Sequence, residues 1–181
     1  MSLLQHWRTP LCLAPRHLRH WLTERGSLTA MLMAHFPNIS VHVIFQGWQA
    51  AHLDEMDCLG PVARQQNIAC REVLLQSNQR PLVYAHSITT ASALRKGFHL
   101  FGRSGSRPLG ALLFADPKIQ RSNLSWCRID PYHPLWQKAQ AAVGNLPQRL
   151  WARRSVFYSG CDKLLVTEVF LSSIDCKQVA Q

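Results

Sequence analysis

The sequence predicts an α+β fold: a single antiparallel sheet of about six strands with helices packed against it. Two observations carry this expectation. Strand-like runs rich in Ile, Val, Leu, Phe and Tyr recur, notably Ile68–Gln76, Pro81–Thr89, Leu150–Tyr158 and Lys163–Leu171. Short polar turns, Ser77–Arg80 and Ser159–Asp162, join these runs in pairs, and connections that short make neighbours antiparallel. The helix-like segments are grouped between the strands.

In chain order, Pro15–Glu24 reads as a helix with Leu18, Trp21 and Leu22 on one side. Gly26 ends it, and Ser27 can cap the next helix, the apolar Leu28–Phe36, which stops at Pro37. Ile39–Gln46 alternates at first and reads as a strand. Gly47–Asn67 is polar, contains Gly60-Pro61 and reads as an irregular connection. Ile68–Gln76 and Pro81–Thr89 form a hairpin. Thr90–Phe101 reads as a helix closing at Gly102. Gly102–Arg107 is glycine- and serine-rich, and Pro108 suits the first position of a short helix. Leu124–Ile129 reads as a strand and Pro134–Val143 as a helix. Leu150–Tyr158 and Lys163–Leu171 form a terminal hairpin. With no internal repeat, linker or low-complexity tract, residues 1–181 read as one domain.

The chain has 181 residues, 47% hydrophobic and 17% charged, enough to bury a core without staples. No apolar run approaches the roughly 18 residues that span a bilayer. The N-terminus lacks the pattern of a secretory signal and is poor in basic and serine residues for a transit peptide. The expectation is a cytoplasmic protein with no transmembrane segment. Six cysteines are scattered without a C-x-x-C pair, which favours thiols over disulfides or zinc. None of the nine histidines forms H-x-x-x-H with a nearby acid, so no metal is expected. The net charge of +10 suits nucleic acid, an anionic membrane surface or a small polyanionic substrate. The basic residues are diffuse, with Arg95-Lys96 and Arg153-Arg154 the adjacent pairs. Without interleaved aromatic and basic motifs, the nucleic-acid case is weak.

Four places could carry chemistry. Glu168 shares a strand face with Leu164, Val166 and Phe170. A carboxylate there needs a cation or hydrogen-bond donors, supplied either by a ligand or by Arg153 or Arg154 across the hairpin. Arg71 shares a face with Ala69, Val73 and Leu75. Its planar fork suits a carboxylate, and a neighbouring acid or solvent would serve it as well. Gly26–Thr29 and Arg107–Phe114 are helix starts whose free N–H groups suit an anion. Leu28, Leu109 and Gly110 would present these groups, with Gly102–Arg107 as a hinge. Ordinary capping and a connecting loop would explain both stretches equally. Together the four could hold a planar acid with a polar group at its far end. No nucleophile elbow or phosphate-cradling glycine loop is present.

The series G-S-L-T, R-E-V-L-L, R-P-L-G-A-L-L-F, L-W-A-R-R-S-V-F and L-L-V-T-E-V-F-L resembles, in the same order, the chorismate pyruvate-lyase (4-hydroxybenzoate synthase) family from Trp21 to Leu171. The resemblance implies cleavage of chorismate to 4-hydroxybenzoate and pyruvate in ubiquinone synthesis, by a monomer without metal or organic cofactor. It implies helical flaps over an internal ligand site. Arg71 would pair with the ring carboxylate, Leu28 and Leu109 would line the site, and Glu168 would meet the ring hydroxyl. Leu28 stands where a methionine can occur, a conservative change for an apolar wall. His86 stands where relatives can carry an arginine, a departure that bears on how the side-chain carboxylate is held. Glu168 as a general base, or as a group that only holds the ring, is left open. The alternative function is a non-catalytic small-molecule-sensing domain of the same fold. Such domains usually follow a winged helix, and too few residues precede Trp21 for one.

Overall fold

The computed structural model describes residues 7–60, 63 and 67–175. Met1, Pro61, Cys176 and the tail beyond it, all touched by the expectations above, lie outside the described residues. One antiparallel sheet of seven strands forms the body, in the order β1-β2-β3-β7-β6-β4, with β5 also pairing β6. The strands are β1 (Ile39–Gln49), β2 (Ile68–Ser77), β3 (Arg80–Thr89), β4 (Ile119–Arg121), β5 (Ser125–Ile129), β6 (Leu150–Ser159) and β7 (Asp162–Phe170). The helices are α1 (Arg16–Thr23), α2 (Leu28–His35), α3 (Leu53–Leu59), α4 (Ala91–Arg95), α5 (Leu109–Ala115) and α6 (Pro134–Val143).

The central strands β2, β3, β7 and β6 are buried on both faces, which is why they read as nearly continuous apolar runs. Their alternate residues separate into two packed layers. On one face α1 and α2 place Leu18, Trp21, Leu22, Leu28 and Leu32 against strand residues such as Val73 and Phe170. Beside them Phe101, Leu109 and Leu113 pack on Ala69, Phe157 and Leu164. On the other face α6 sets Leu135, Trp136 and Ala139 on Tyr84, Ala152 and Val169. Leu59 of α3 joins Ile68, Ile88 and Leu165 there. Helices therefore cover both faces.

Several boundaries differ from expectation, each for a tertiary reason. β1 runs on to Gln49 because Gly47, Trp48 and Gln49 find partners in Cys70, Ala69 and Ile68. The expected irregular connection from Gly47 to Asn67 contains α3, started by the Glu55 carboxylate accepting the backbone N–H of His52 at 2.9 Å. The expected helix Thr90–Phe101 stops at Arg95. Gly97 then lies so close to β6 that an added Cβ would sit 2.6 Å from Ser159 Cβ, and its N–H donates to Asp162 Oδ2 at 3.1 Å. The short strand β4 is an addition: it exists through pairing with Phe157–Ser159, which no local pattern of three residues announces.

Candidate functional site

A cavity of about 530 Å³, including its mouth, lies on the face covered by α2 and α5. Leu28, Arg71, Leu109 and Glu168, the residues singled out in the sequence, all line it, together with Arg121. Strand register explains the meeting. Arg71 stands opposite Ser87, and Ser87 opposite Val166. Val73 stands opposite Ala85, and Ala85 opposite Glu168. Arg71 and Glu168 thus point from one face, two strands apart and one same-face step along. Strand spacing and rise put their Cα atoms about 12 Å apart, room for a six-membered ring between two side chains.

Arg71 is only 2% exposed. One Nη2 donates to the carbonyls of Gly105 (2.7 Å) and Arg107 (3.3 Å), so the loop before α5 is latched onto the guanidinium. Gly105 adopts φ +51°, the left-handed conformation that glycine takes freely. Burial lowers the Arg71 pKa from its ordinary value, with no acid opposing the effect. Its Nε is buried without a hydrogen-bond partner among the described residues. The neighbouring acid considered for Arg71 is therefore not what it meets.

Glu168 does meet the partner strand. Arg153 Nε donates to Glu168 Oε2 at 2.5 Å, and Arg153 Nη1 donates to the carbonyls of Trp21 and Glu24 at 2.6 and 2.8 Å. Arg153 is fully buried, and its Nη2 has no partner among the described residues. The ion pair and the cavity are compatible, because Glu168 keeps an edge on the pocket while Arg153 sits behind it. Arg154 alternates to the other face, where its Nη1 lies 3.4 Å from Asp54 and its guanidinium stacks over Trp7.

The two expected helix starts face each other across the mouth. Ser27 Oγ accepts the N–H of Ala30 at 3.3 Å and caps α2. Gly110 of α5 comes so near that an added Cβ would lie 2.9 Å from Ser27 Oγ. Arg121 closes the corner. Its Nε donates to Ser155 Oγ at 2.7 Å, and its Nη1 to the carbonyls of Arg25 (2.9 Å) and Gly26 (3.2 Å). Phe114 and Phe157 flank its guanidinium at 5.5 and 5.2 Å. Arg153 is one of the two cations expected across the hairpin from Glu168, whereas Arg121 was not singled out in the sequence. Arg153 carried a signal, since adjacent arginines in an apolar strand must split between two faces. Arg121 sits in a strand too short to give one.

His86 does not reach this cavity. It lies on the opposite face of β3, fully buried, with Nε2 2.9 Å from Glu55 and Nδ1 3.2 Å from Glu72. Lys138 of α6 pairs with the same Glu72 oxygen. Burial disfavours the charged imidazole, yet Glu55, followed by hydrogen bonds from its surroundings, raises the His86 pKa well above its ordinary value. Burial likewise opposes ionisation of Glu72, and hydrogen bonds from His86 and Lys138 bring its pKa down to about 2. His52, Glu55 and His86, or Cys70, Glu72 and His86, have donor atoms close enough to hold a metal ion. His86 and Lys138 lie against the two carboxylates as a buried ionic network, in which His86 Nε2 and Glu55 Oε1 are in contact without hydrogen-bond geometry. The five described cysteines are free thiols.

Comparison with known proteins gives the family and the fold. A family model described as Chorismate lyase matches residues 5–180. A probable chorismate pyruvate-lyase of Nitrosomonas eutropha is 40% identical over 168 residues, covering 93% of this chain and 94% of that protein. One of Aromatoleum aromaticum is 43% identical over 169 residues, covering 92% and 91%. Among solved structures, the effector domain of PhnF from Mycobacterium smegmatis aligns at a TM-score of 0.53 and 12% identity, over 82% of this chain and 90% of that one. A GntR-family transcriptional regulator from Enterococcus faecalis aligns at 0.53 and 13%, over 80% and 98%. At such identities these last two establish a shared fold.

Proposed function

The chain belongs to the chorismate lyase family, a family of lyases, and from that premise we propose that it cleaves chorismate to 4-hydroxybenzoate and pyruvate. The observation that carries this reading is the placing of Arg71 and Glu168 on one face of a largely apolar cavity. Chorismate has a ring carboxylate at C1 and, para to it, a hydroxyl at C4. Arg71, with its unpartnered Nε, takes the carboxylate, and the helix starts at Leu28 and Leu109 enclose the ring. Glu168, braced by Arg153 through Oε2, accepts the C4 hydroxyl with its other oxygen.

The chemistry asks little of the protein beyond this. The ether bond at C3 breaks, the proton at C4 leaves, and the ring becomes aromatic. The C3–O electron pair departs with the enolpyruvyl group, which takes up a proton to become pyruvate, so the reaction balances without water or an oxidant. Aromatisation drives it, and the protein contributes orientation and charge placement. No covalent nucleophile is required. On this reading residues 1–181 form one chorismate lyase-like unit, acting as a cytoplasmic monomer and supplying 4-hydroxybenzoate for ubiquinone synthesis. Incubating purified protein with chorismate and following the ultraviolet absorbance of 4-hydroxybenzoate tests the activity. Binding of chorismate without product would instead assign the chain the ligand-sensing role known from its fold.

A further inference from the structure

Chorismate carries a second carboxylate, on the enolpyruvyl group, which Arg71 and Glu168 leave without a partner, and Arg121 is the further cation that lines the cavity. We infer that Arg121 binds the enolpyruvyl carboxylate, and that this contact makes the site prefer chorismate's dianion over singly charged ring acids. The inference rests on the chorismate lyase reading above and adds the residue that recognises the part of the substrate lost in the reaction.

Position comes first. Arg121 stands opposite Phe157 on β6 and reaches back over Ser155. Ser155 pairs with Val166, which pairs with Ser87, which pairs with Arg71. The backbone of Arg121 belongs to the next row, that of Phe157 and Leu164, but its guanidinium, held on Ser155, lies at the far end of the row that starts at Arg71, with Ser87 and Val166 as the floor between them. Glu168 belongs to the adjacent row, two residues along from Val166. The three charged groups make a triangle rather than a line. Chorismate's polar groups do the same. The C1 carboxylate and C4 hydroxyl oppose each other, and the C3 ether leaves the ring beside the hydroxyl. With the carboxylate on Arg71 and the hydroxyl on Glu168, the enolpyruvyl group has two edges to choose from. One of them leads to Arg121.

Donor bookkeeping points the same way. A guanidinium has five N–H groups. Nε of Arg121 serves Ser155, and the two Nη1 hydrogens serve Arg25 and Gly26. Among the described residues, Nη2 has no hydrogen-bond partner, and Arg121 lines the cavity. The aromatic faces of Phe114 and Phe157 restrict the plane of the guanidinium without using its N–H donors. A fixed, partly desolvated guanidinium with one unoccupied edge is suited to a carboxylate. Once the C3–O bond breaks, this carboxylate departs with pyruvate, and 4-hydroxybenzoate keeps only its contacts with Arg71 and Glu168.

The test compares ligands that share the ring but differ in the second carboxylate. For Arg121→Met, kcat/KM for chorismate should fall about 100-fold, the scale of a lost charge-assisted hydrogen-bonded pair. The Kd for 4-hydroxybenzoate should change by less than about threefold, since its contacts remain. Arg121→Lys should recover part of the loss. An unchanged kcat/KM, or an equal loss of 4-hydroxybenzoate affinity, would overturn the inference, the latter making Arg121 only a brace for the Arg25–Gly26 turn. The wild-type protein supplies an arm independent of any folding defect. It should bind 3-(carboxymethoxy)-4-hydroxybenzoate at least about tenfold tighter than 4-hydroxy-3-methoxybenzoate, and equal binding would exclude a second carboxylate site. Absence of 4-hydroxybenzoate formation by the wild type would count against the lyase reading itself, which these binding ratios do not depend on.

Discussion

At the scale of single residues, the site is built from charges that the fold leaves incompletely paired. Glu168 has one oxygen committed to Arg153, and the other is proposed for the ring hydroxyl. Removing its charge while keeping its shape, Glu168→Gln, should lower chorismate turnover about 100-fold, the usual scale for a positioned acid–base group. Near-normal turnover would remove any essential role for the carboxylate. The network on the opposite face obeys a different logic, because its charges answer one another. His86 has a raised pKa in the fold, so the stability it lends is full below its unfolded value near 6.5 and is lost as pH rises through the folded value. Glu72 titrates at about 2 in the fold, so its contribution is present above its unfolded value of about 4.3 and is lost as pH falls toward the folded one. Urea midpoints should therefore be highest between these limits. In His86→Gln the alkaline decline should flatten. An alkaline limb unchanged from wild type would show that His86 is not the titrating group.

At the scale of elements, the cavity is closed by two helix starts and one loop rather than by any long helix. α5 is latched through Gly105 and Arg107 onto Arg71, and it reaches α2 where Gly110 meets Ser27. A ligand carboxylate on Arg71 would compete with or complete that latch, so lid position and ligand binding share one guanidinium. Gly110→Ala places a methyl 2.9 Å from Ser27 Oγ, and the two starts must part. We expect 4-hydroxybenzoate affinity to fall about tenfold in this variant, as a loosened lid loses pre-organisation. Adding Ser27→Ala removes the oxygen and leaves a Cβ 3.7 Å away, so affinity should return. Titration of both variants with 4-hydroxybenzoate checks this, and failure of the second change to restore binding would refute the steric cause.

For the whole molecule, the net charge of +10 should draw a dianionic substrate from solution. kcat/KM for chorismate should fall by about threefold or more as ionic strength rises from about 0.05 to 0.5 M, with kcat nearly constant. Indifference to salt would confine the positive charge to solubility. Much of the architecture was legible in the chain. β2, β3, β6 and β7 announce themselves because strands buried on both faces need continuous apolar runs, and α6 because Pro134 and Val143 bound its pattern. Arg71 and Glu168 stood out because a charge in such a run conflicts with its neighbours, and that conflict is local. By itself the sequence determined these strands, the hairpins joining them and the two charges that their apolar faces cannot satisfy. The tertiary structure alone decided which cations and carbonyls meet those charges, that His86 faces away, and that Arg121 comes round to the cavity. Those outcomes depend on register between strands distant in sequence, where one residue's shift turns a side chain to the other face, and no local pattern carries that information.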